Sequence, residues 1–162
     1  MEHVAAEAQL SRQSLYRYVS AREELVELAL LERLREFSQA LRPAGPIDVA
    51  RLGEEFVDLV IASVRAGRED DEFQYLTEAI PESRLVPLTT SPHSPVHELV
   101  LYTFGPLLSA GREADVLRHE ASDSEIVEWL QGVMLLLAPR IDLDEPAQRR
   151  RLRLFVVPAL FH

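Results

Sequence analysis

Apolar residues recur at three- and four-residue spacing along almost the whole chain, and no window alternates cleanly between apolar and polar side chains. That period gathers side chains on one stripe of a helix and scatters them over both faces of a strand, so the predicted fold class is all-α. With 162 residues, 47% of them apolar, the chain is long enough to enclose a core. It has no cysteine, which removes disulfides and thiol nucleophiles from consideration. The longest apolar runs, at 133–139 and 154–161, fall far short of the roughly 18 residues of a membrane span. Residues 1–7 lack the basic start and apolar stretch of a signal peptide, and a cytoplasmic location is expected.

Local punctuation divides this periodic chain into helices. Ser20 and Glu23 have capping-box spacing and predict a helix with the stripe Val26, Leu30, Leu34, Phe37 and Leu41, stopped by Pro43 and Gly45-Pro46. A second helix from about Asp48 to Gly67 is expected to bury Val49, Leu52, Phe56, Val60 and Val64. A shorter one from about Asp70 to Ile80 places Phe73, Leu76 and Ile80 on one face, and Pro81 closes it. Residues 81–95, with four prolines, read as a long ordered loop. Ser94 and Pro95 then start a helix to Gly111, with a kink expected at Gly105-Pro106 and a short helical segment following at 112–118. Ser122 and Glu125 form another capping box, opening a helix that carries Ile126, Leu130, Val133 and Leu137 on one face. The last helix begins near Pro146 and is distorted at Pro158.

The net charge is −10, which disfavours nucleic acid taken as a whole. The distribution differs from the total, because residues 9–22 carry Arg12, Arg17 and Arg22 and no acid. This leaves 14 arginines against 27 acidic residues elsewhere, or −13. Within this stretch Ala5, Ala6 and Ala8 permit close helix approach, Leu10 plugs a turn, and Ser11 is a good N-cap for a second helix. That helix would carry Arg12, Gln13, Ser14, Tyr16 and Arg17 in its first two turns, with Leu15 and Val19 packing inward. In a major groove Arg can read guanine, Gln can read adenine, and Tyr can bond phosphate.

Residues 4–31 resemble the DNA-binding region of the TetR family of repressors, through Ser11 at the recognition-helix cap, the run Leu15-Tyr16-Arg17-Tyr18, and the turn into Glu23-Glu24-Leu25. The resemblance implies double-stranded operator DNA as partner, with Ser11, Arg12, Gln13, Ser14, Tyr16 and Arg17 on the DNA and Arg22 on phosphate. Gln9 stands where that family has glycine. A left-handed conformation there costs a non-glycine residue about 1–2 kcal/mol. The first helix of the family's three-helix unit has no counterpart before Val4. The helix-turn-helix is therefore expected to be cut short, through a misassigned start, a trimmed sequence or a loss of operator binding.

The implied organisation is a partial DNA-binding domain with its connecting helix at 1–42 and a TetR-type ligand-binding and dimerisation domain at 43–162. Paired half-sites about 34 Å apart favour a two-fold homodimer. The apolar C-terminal helices would supply its interface through Ile126, Leu130, Val133, Leu137, Leu152, Phe155, Val156 and Leu160. A small apolar or aromatic effector would bind among Tyr75, Glu78, His97, Tyr102, Phe104, Trp129 and Met134. No cofactor is expected. His93 and His97 have metal-pair spacing, but Pro95 lies between them, and both are expected to be loop or surface residues. Arg149, Arg150, Arg151 and Arg153 read as a solvated helix face. An enzyme is not expected: there is no glycine-rich phosphate loop or nucleophile elbow, and Glu54-Glu55 and Asp70-Asp71 point to different sides of their helices.

Overall fold

The computed structural model describes Gln9, Ser11, Gln13 and residues 21–162. The fold is all-α, and among the described residues the only β-type pairing is one antiparallel bridge between Leu117 and Phe161. Helix α1 (Arg22–Leu41) begins with Ala21 at the cap position and no side-chain cap. Ser20 of the expected capping box lies outside the described residues. Glu23 and Glu24 in the first turn suit the positive end of the helix, and the extended Arg42 before Pro43 ends it.

A short 3₁₀ turn (Val49–Arg51), capped by the Asp48 side chain, leads into α2 (Leu52–Glu69). Val49 is exposed, contrary to its expected burial, because the tighter turn rotates it off the stripe that begins at Leu52. Asp70 accepts the Phe73 amide at 2.7 Å and starts α3 (Asp71–Ala79).

The expected loop at 81–95 is largely helical: α4 spans Glu82–Thr90 and contains Pro87. Pro87 has no amide to offer the Ser83 carbonyl, but Ser83 is exposed and water can take that bond. Leu85 and Leu88, three residues apart, pack inward against Leu30, Leu76 and Ile80, and this burial outweighs the proline signal. Ser94 accepts the His97 amide at 3.1 Å and opens α5 (Pro95–Glu113). This helix continues through Gly105-Pro106. Pro106 leaves the Tyr102 carbonyl without its helical donor, and the Arg42 guanidinium donates to that oxygen while lying 4.2 Å above the Tyr102 ring.

Residues 112–118 do not form the separate short helix expected. α5 simply runs on to Glu113, and Asp115 then takes φ 58. The Val116 amide donates to Gly111 and the Asp115 amide to Arg112, the paired bonds of a Schellman helix end. The Ser122 and Glu125 capping box is complete, with both reciprocal bonds made, and opens α6 (Asp123–Leu137). The final rod is α7 (Glu145–Arg151), a π-helical stretch (Leu152–Val156) and α8 (Val157–Leu160). The register widens immediately before Pro158, which cannot donate to the Leu154 carbonyl.

The main core surrounds α2, whose Leu52, Phe56, Val57, Leu59, Val60, Ile61 and Val64 are all buried. Phe104, Leu107 and Leu108 of α5 meet it, as do Ile126, Val127 and Leu130 of α6 and Leu152, Val156 and Leu160 of the last rod. Phe56 sits at the junction, 5.9 Å from the Phe104 ring and edge-on to Phe161 at 5.7 Å. A smaller core joins Leu30 of α1 to Leu76 and Ile80, with the Phe37 and Phe73 rings beside it 5.6 Å apart and tilted by 52°.

Two changes test this packing. A Cβ on Gly111 would lie 2.7 Å from Leu117 and 3.0 Å from Leu52. Gly111→Ala should therefore destabilise by about 1–3 kcal/mol in urea unfolding, although an unhindered helical Gly→Ala would gain up to about 1 kcal/mol. A gain would refute the close contact. The Arg33 guanidinium, followed by the Phe73 amide, holds the Asp70 carboxyl below its ordinary value of 3.8. That stabilisation is complete above the ordinary value and disappears as pH falls through the lowered one. Asp70→Asn keeps a capping side chain but should flatten the acid limb of the stability curve below about pH 4; an unaltered limb would remove this pair from the account.

Candidate effector site and dimerisation face

Of the residues assigned to DNA, Ser11 and Gln13 are described and both are exposed, Ser11 outside a helix and Gln13 within one. Gln9 occupies a turn at φ 53, a left-handed conformation that glycine adopts more readily. Arg22 is exposed at the first position of α1. Arg12, Ser14, Tyr16 and Arg17 lie outside the described residues.

The seven residues expected to line an effector pocket do not converge. Tyr75 and Glu78 are exposed on α3, Tyr102 is exposed beneath Arg42, and Trp129 is exposed on α6. Phe104 is fully buried against Phe56, and Met134 packs at the margin of the main core. His97 is neither a loop nor a surface residue but 3% exposed.

His97 is the centre of the principal interior polar cluster. Its Nδ1 lies 2.7 Å from Gln131 Oε1 and its Nε2 2.9 Å from Ser124 Oγ, while Gln131 Nε2 donates to the Thr89 carbonyl at 2.9 Å. Because the Gln131 amide nitrogen is committed to Thr89, its oxygen must accept, which assigns the proton to His97 Nδ1. Nε2 completes the cluster through its hydrogen bond with the Ser124 hydroxyl. The ring so placed ties α4, α5 and α6 together. Sequence spacing could find a histidine on the buried face of α5, but its partners are remote in the chain.

Two shallow concavities stand out among the described residues. One, lined by Ile47, Val49, Pro106, Ser109, Ala110 and Glu113, is open to solvent. The other lies beside Trp129, between Arg118, Ile126, Ala159 and Leu160. Its volume of about 170 Å³ is below the roughly 300–1,000 Å³ of most small-molecule sites. At that second concavity an effector of drug size would need α6 to move relative to the last rod, whereas the first, at about 480 Å³, is large enough but widely open.

The residues expected at a dimer interface divide sharply. Ile126, Leu130, Leu137, Leu152, Val156 and Leu160 are buried in the chain's own core and have no surface to offer a partner. The reason is geometric: these stripes face α2, which no count of apolar residues on α6 and the last rod could reveal. Val133 is half-buried, and Phe155 is 69% exposed. The apolar surface these helices do present is Trp129, Leu135 and Leu136 on α6 with Leu154 and Phe155 on the rod. Trp129 borders Ala159 and Leu160 at the end of the rod.

The C-terminal arginine run is not simply a solvated face. Arg149 is half-buried and bonds Asp58 and Glu145, and Arg153 makes a bidentate pair with Glu54 at 2.7 Å for both bonds. Arg153 also holds the Glu54 carboxyl below its ordinary range. Both pairs join the rod to α2.

Comparison with protein families, with curated proteins and with solved structures finds no match for this chain. The functional reading therefore rests on the residues themselves.

Replacing His97 with Leu leaves the Gln131 oxygen and the Ser124 hydroxyl without their shared partner. The expected cost is about 1–3 kcal/mol in urea unfolding. A midpoint equal to that of the parent would show that the cluster does not hold α4, α5 and α6 together.

Proposed function

We propose that this chain is a homodimeric transcriptional regulator of the TetR type, a repressor that leaves its operator when a small apolar or aromatic effector binds. The observation that carries this reading is the acid-free stretch 9–22 on an otherwise acidic chain, with its left-handed turn at Gln9 ahead of a helix containing Gln13. A turn of that kind between two short helices lets the second one enter a major groove. Arg12 and Arg17 supply charge and guanine-reading forks, Gln13 an adenine-reading amide, Tyr16 a phosphate donor, and Ser11 and Ser14 short polar contacts. Arg22, at the start of α1, adds a phosphate contact at the positive end of that helix.

A second subunit supplies the second half-site. Its contact falls on the exposed apolar surface of Trp129, Leu136, Leu154 and Phe155 rather than on the buried stripes. The coupling between effector and DNA runs through α1, which packs along α5 and joins the helix-turn-helix to the larger domain. An effector that parts α6 from the last rod near Trp129 would shift α5 and, with it, the spacing of the two reading helices.

Gel-shift titration of the full chain against the DNA flanking its own gene tests the reading. Arg12→Ala and Gln13→Ala should each cost about 1–3 kcal/mol at particular base positions, whereas Arg22→Ala should weaken all sequences alike and lower the salt slope by about 1. Binding that never exceeds that to competitor DNA would overturn the operator assignment and leave a ligand-binding or dimerising module. For the dimer, Trp129→Glu combined with Leu136→Glu should halve the mass seen by sedimentation, and a parent that already sediments as a monomer refutes it. Thermal shift against a panel of aromatic and acyl compounds tests the effector, and no response from any member counts against one.

A further inference from the structure

We propose that Asp115, His119 and His162 form a binding site for a divalent transition-metal ion of the zinc class. The sequence offers little warning of it, because His162 is far from the other two along the chain. Folding brings them together in three steps.

First, the Schellman end of α5 puts Asp115 in the left-handed conformation, a position that glycine normally fills and that aspartate tolerates better than most residues. Second, Arg112 braces the following loop: it donates to the Arg118 carbonyl at 2.8 Å, to the Ala121 carbonyl, and to Asp123 at 2.9 Å. Third, the bridge between Leu117 and Phe161 lays the end of the last rod against that loop. Its bonds run from the Arg118 amide to Leu160 at 3.0 Å and from the His162 amide to Val116 at 3.3 Å. The backbone around all three side chains is thereby fixed from two directions.

The side chains converge on one point. His119 Nε2 lies 2.9 Å from Asp115 Oδ1, and the His119 and His162 rings are 5.3 Å apart at a tilt of 36°. One donor atom from each residue lies within 4.8 Å of the other two. A tetrahedral ion with bonds of about 2.0–2.2 Å needs its donors about 3.3 Å apart, which rotation of these exposed side chains can reach. Two imidazoles and one carboxylate suit zinc, nickel, copper or cobalt, and they are a poor set for magnesium or calcium, which prefer oxygen. All three residues are exposed, so an ion can enter without any opening of the fold, and its remaining positions face solvent. Bound there, the ion cross-links the loop between α5 and α6 to the end of the last rod.

The experiment uses the full chain with any affinity tag removed, since a polyhistidine tag would mask the site. Calorimetric titration with zinc, and with cobalt followed by visible absorption, should give one saturable equivalent. Asp115→Asn, His119→Gln and His162→Gln should each weaken that event by about tenfold or more, an effect at least as large as loss of an outer-shell partner, while far-UV circular dichroism stays at the parent level. His93→Gln, an exposed histidine elsewhere, should bind as the parent does. Zinc should raise the melting temperature of the parent and not of the triple variant, because binding only to the folded state stabilises it. Absence of a saturable equivalent, undiminished binding in His119→Gln or His162→Gln, or loss of binding in His93→Gln would each overturn the site and leave Asp115 and His119 as an ordinary surface contact.

Discussion

Burial of α2 on nearly every side is the constraint from which the rest of the structure follows. Apart from Arg65 and Glu69, every residue of α2 is buried or half-buried, and α5, α6 and the last rod each turn one stripe toward it. Phe56 marks the meeting point, since it touches Phe104 from one neighbour and Phe161 from another. Burying a side chain of that size contributes about 1.5–3 kcal/mol, whereas an exposed ion pair such as Glu54 with Arg153 contributes about 0–1 kcal/mol. The apolar contacts therefore decide where the rod lies, and the ion pairs select its register against α2.

Helix ends and proline gaps leave carbonyls without donors, and arginine side chains fill several of them. Arg42 takes the carbonyl freed by Pro106, and Arg68 bonds Ala138 at 2.9 Å and Arg140 at 3.1 Å as well as the Leu137 carbonyl at the end of α6. Arg118 reaches the Pro158 carbonyl at 3.1 Å. A guanidinium offers five donors in a rigid fork and keeps its charge, which suits it to the negative end of a helix. Of the carbonyls that proline frees, the one at Tyr102 is thus filled by a guanidinium, while the one at exposed Ser83 is left to water.

What the sequence discloses is what local chemistry determines. Ser94 and Ser122 each cap a helix as their spacing predicts, because a cap is settled within four residues. Gln9 is legible for the same reason, as one residue at a turn. Helix α4 is not, since Pro87 argues against it locally while the burial of Leu85 and Leu88 depends on α1 and α3, which are distant in sequence. The interface residues fail in a related way: an apolar stripe on α6 announces that it will be covered but not by which surface. Trp129 and Phe155, which the fold leaves exposed, differ from Leu130 and Val156 only in their direction from α2. The interior partners of His97 and the meeting of His119 with His162 are products of tertiary packing, and no spacing along the chain could encode them visibly.

The same reasoning separates the two arginine-rich stretches that carry no acid of their own. Residues 146–162 hold four arginines and residues 9–22 hold three, so charge alone ranks the C-terminal stretch higher as a surface for DNA. The fold neutralises two of those four C-terminal arginines. Arg149 and Arg153 face Asp58, Glu145 and Glu54, and their positive charge is compensated where it stands. A phosphate approaching them would meet those carboxylates at the same distance as the guanidinium groups and gain little from either. Under the function proposed above, contact with operator DNA is therefore assigned to residues 9–22, with Arg22 at their boundary with α1.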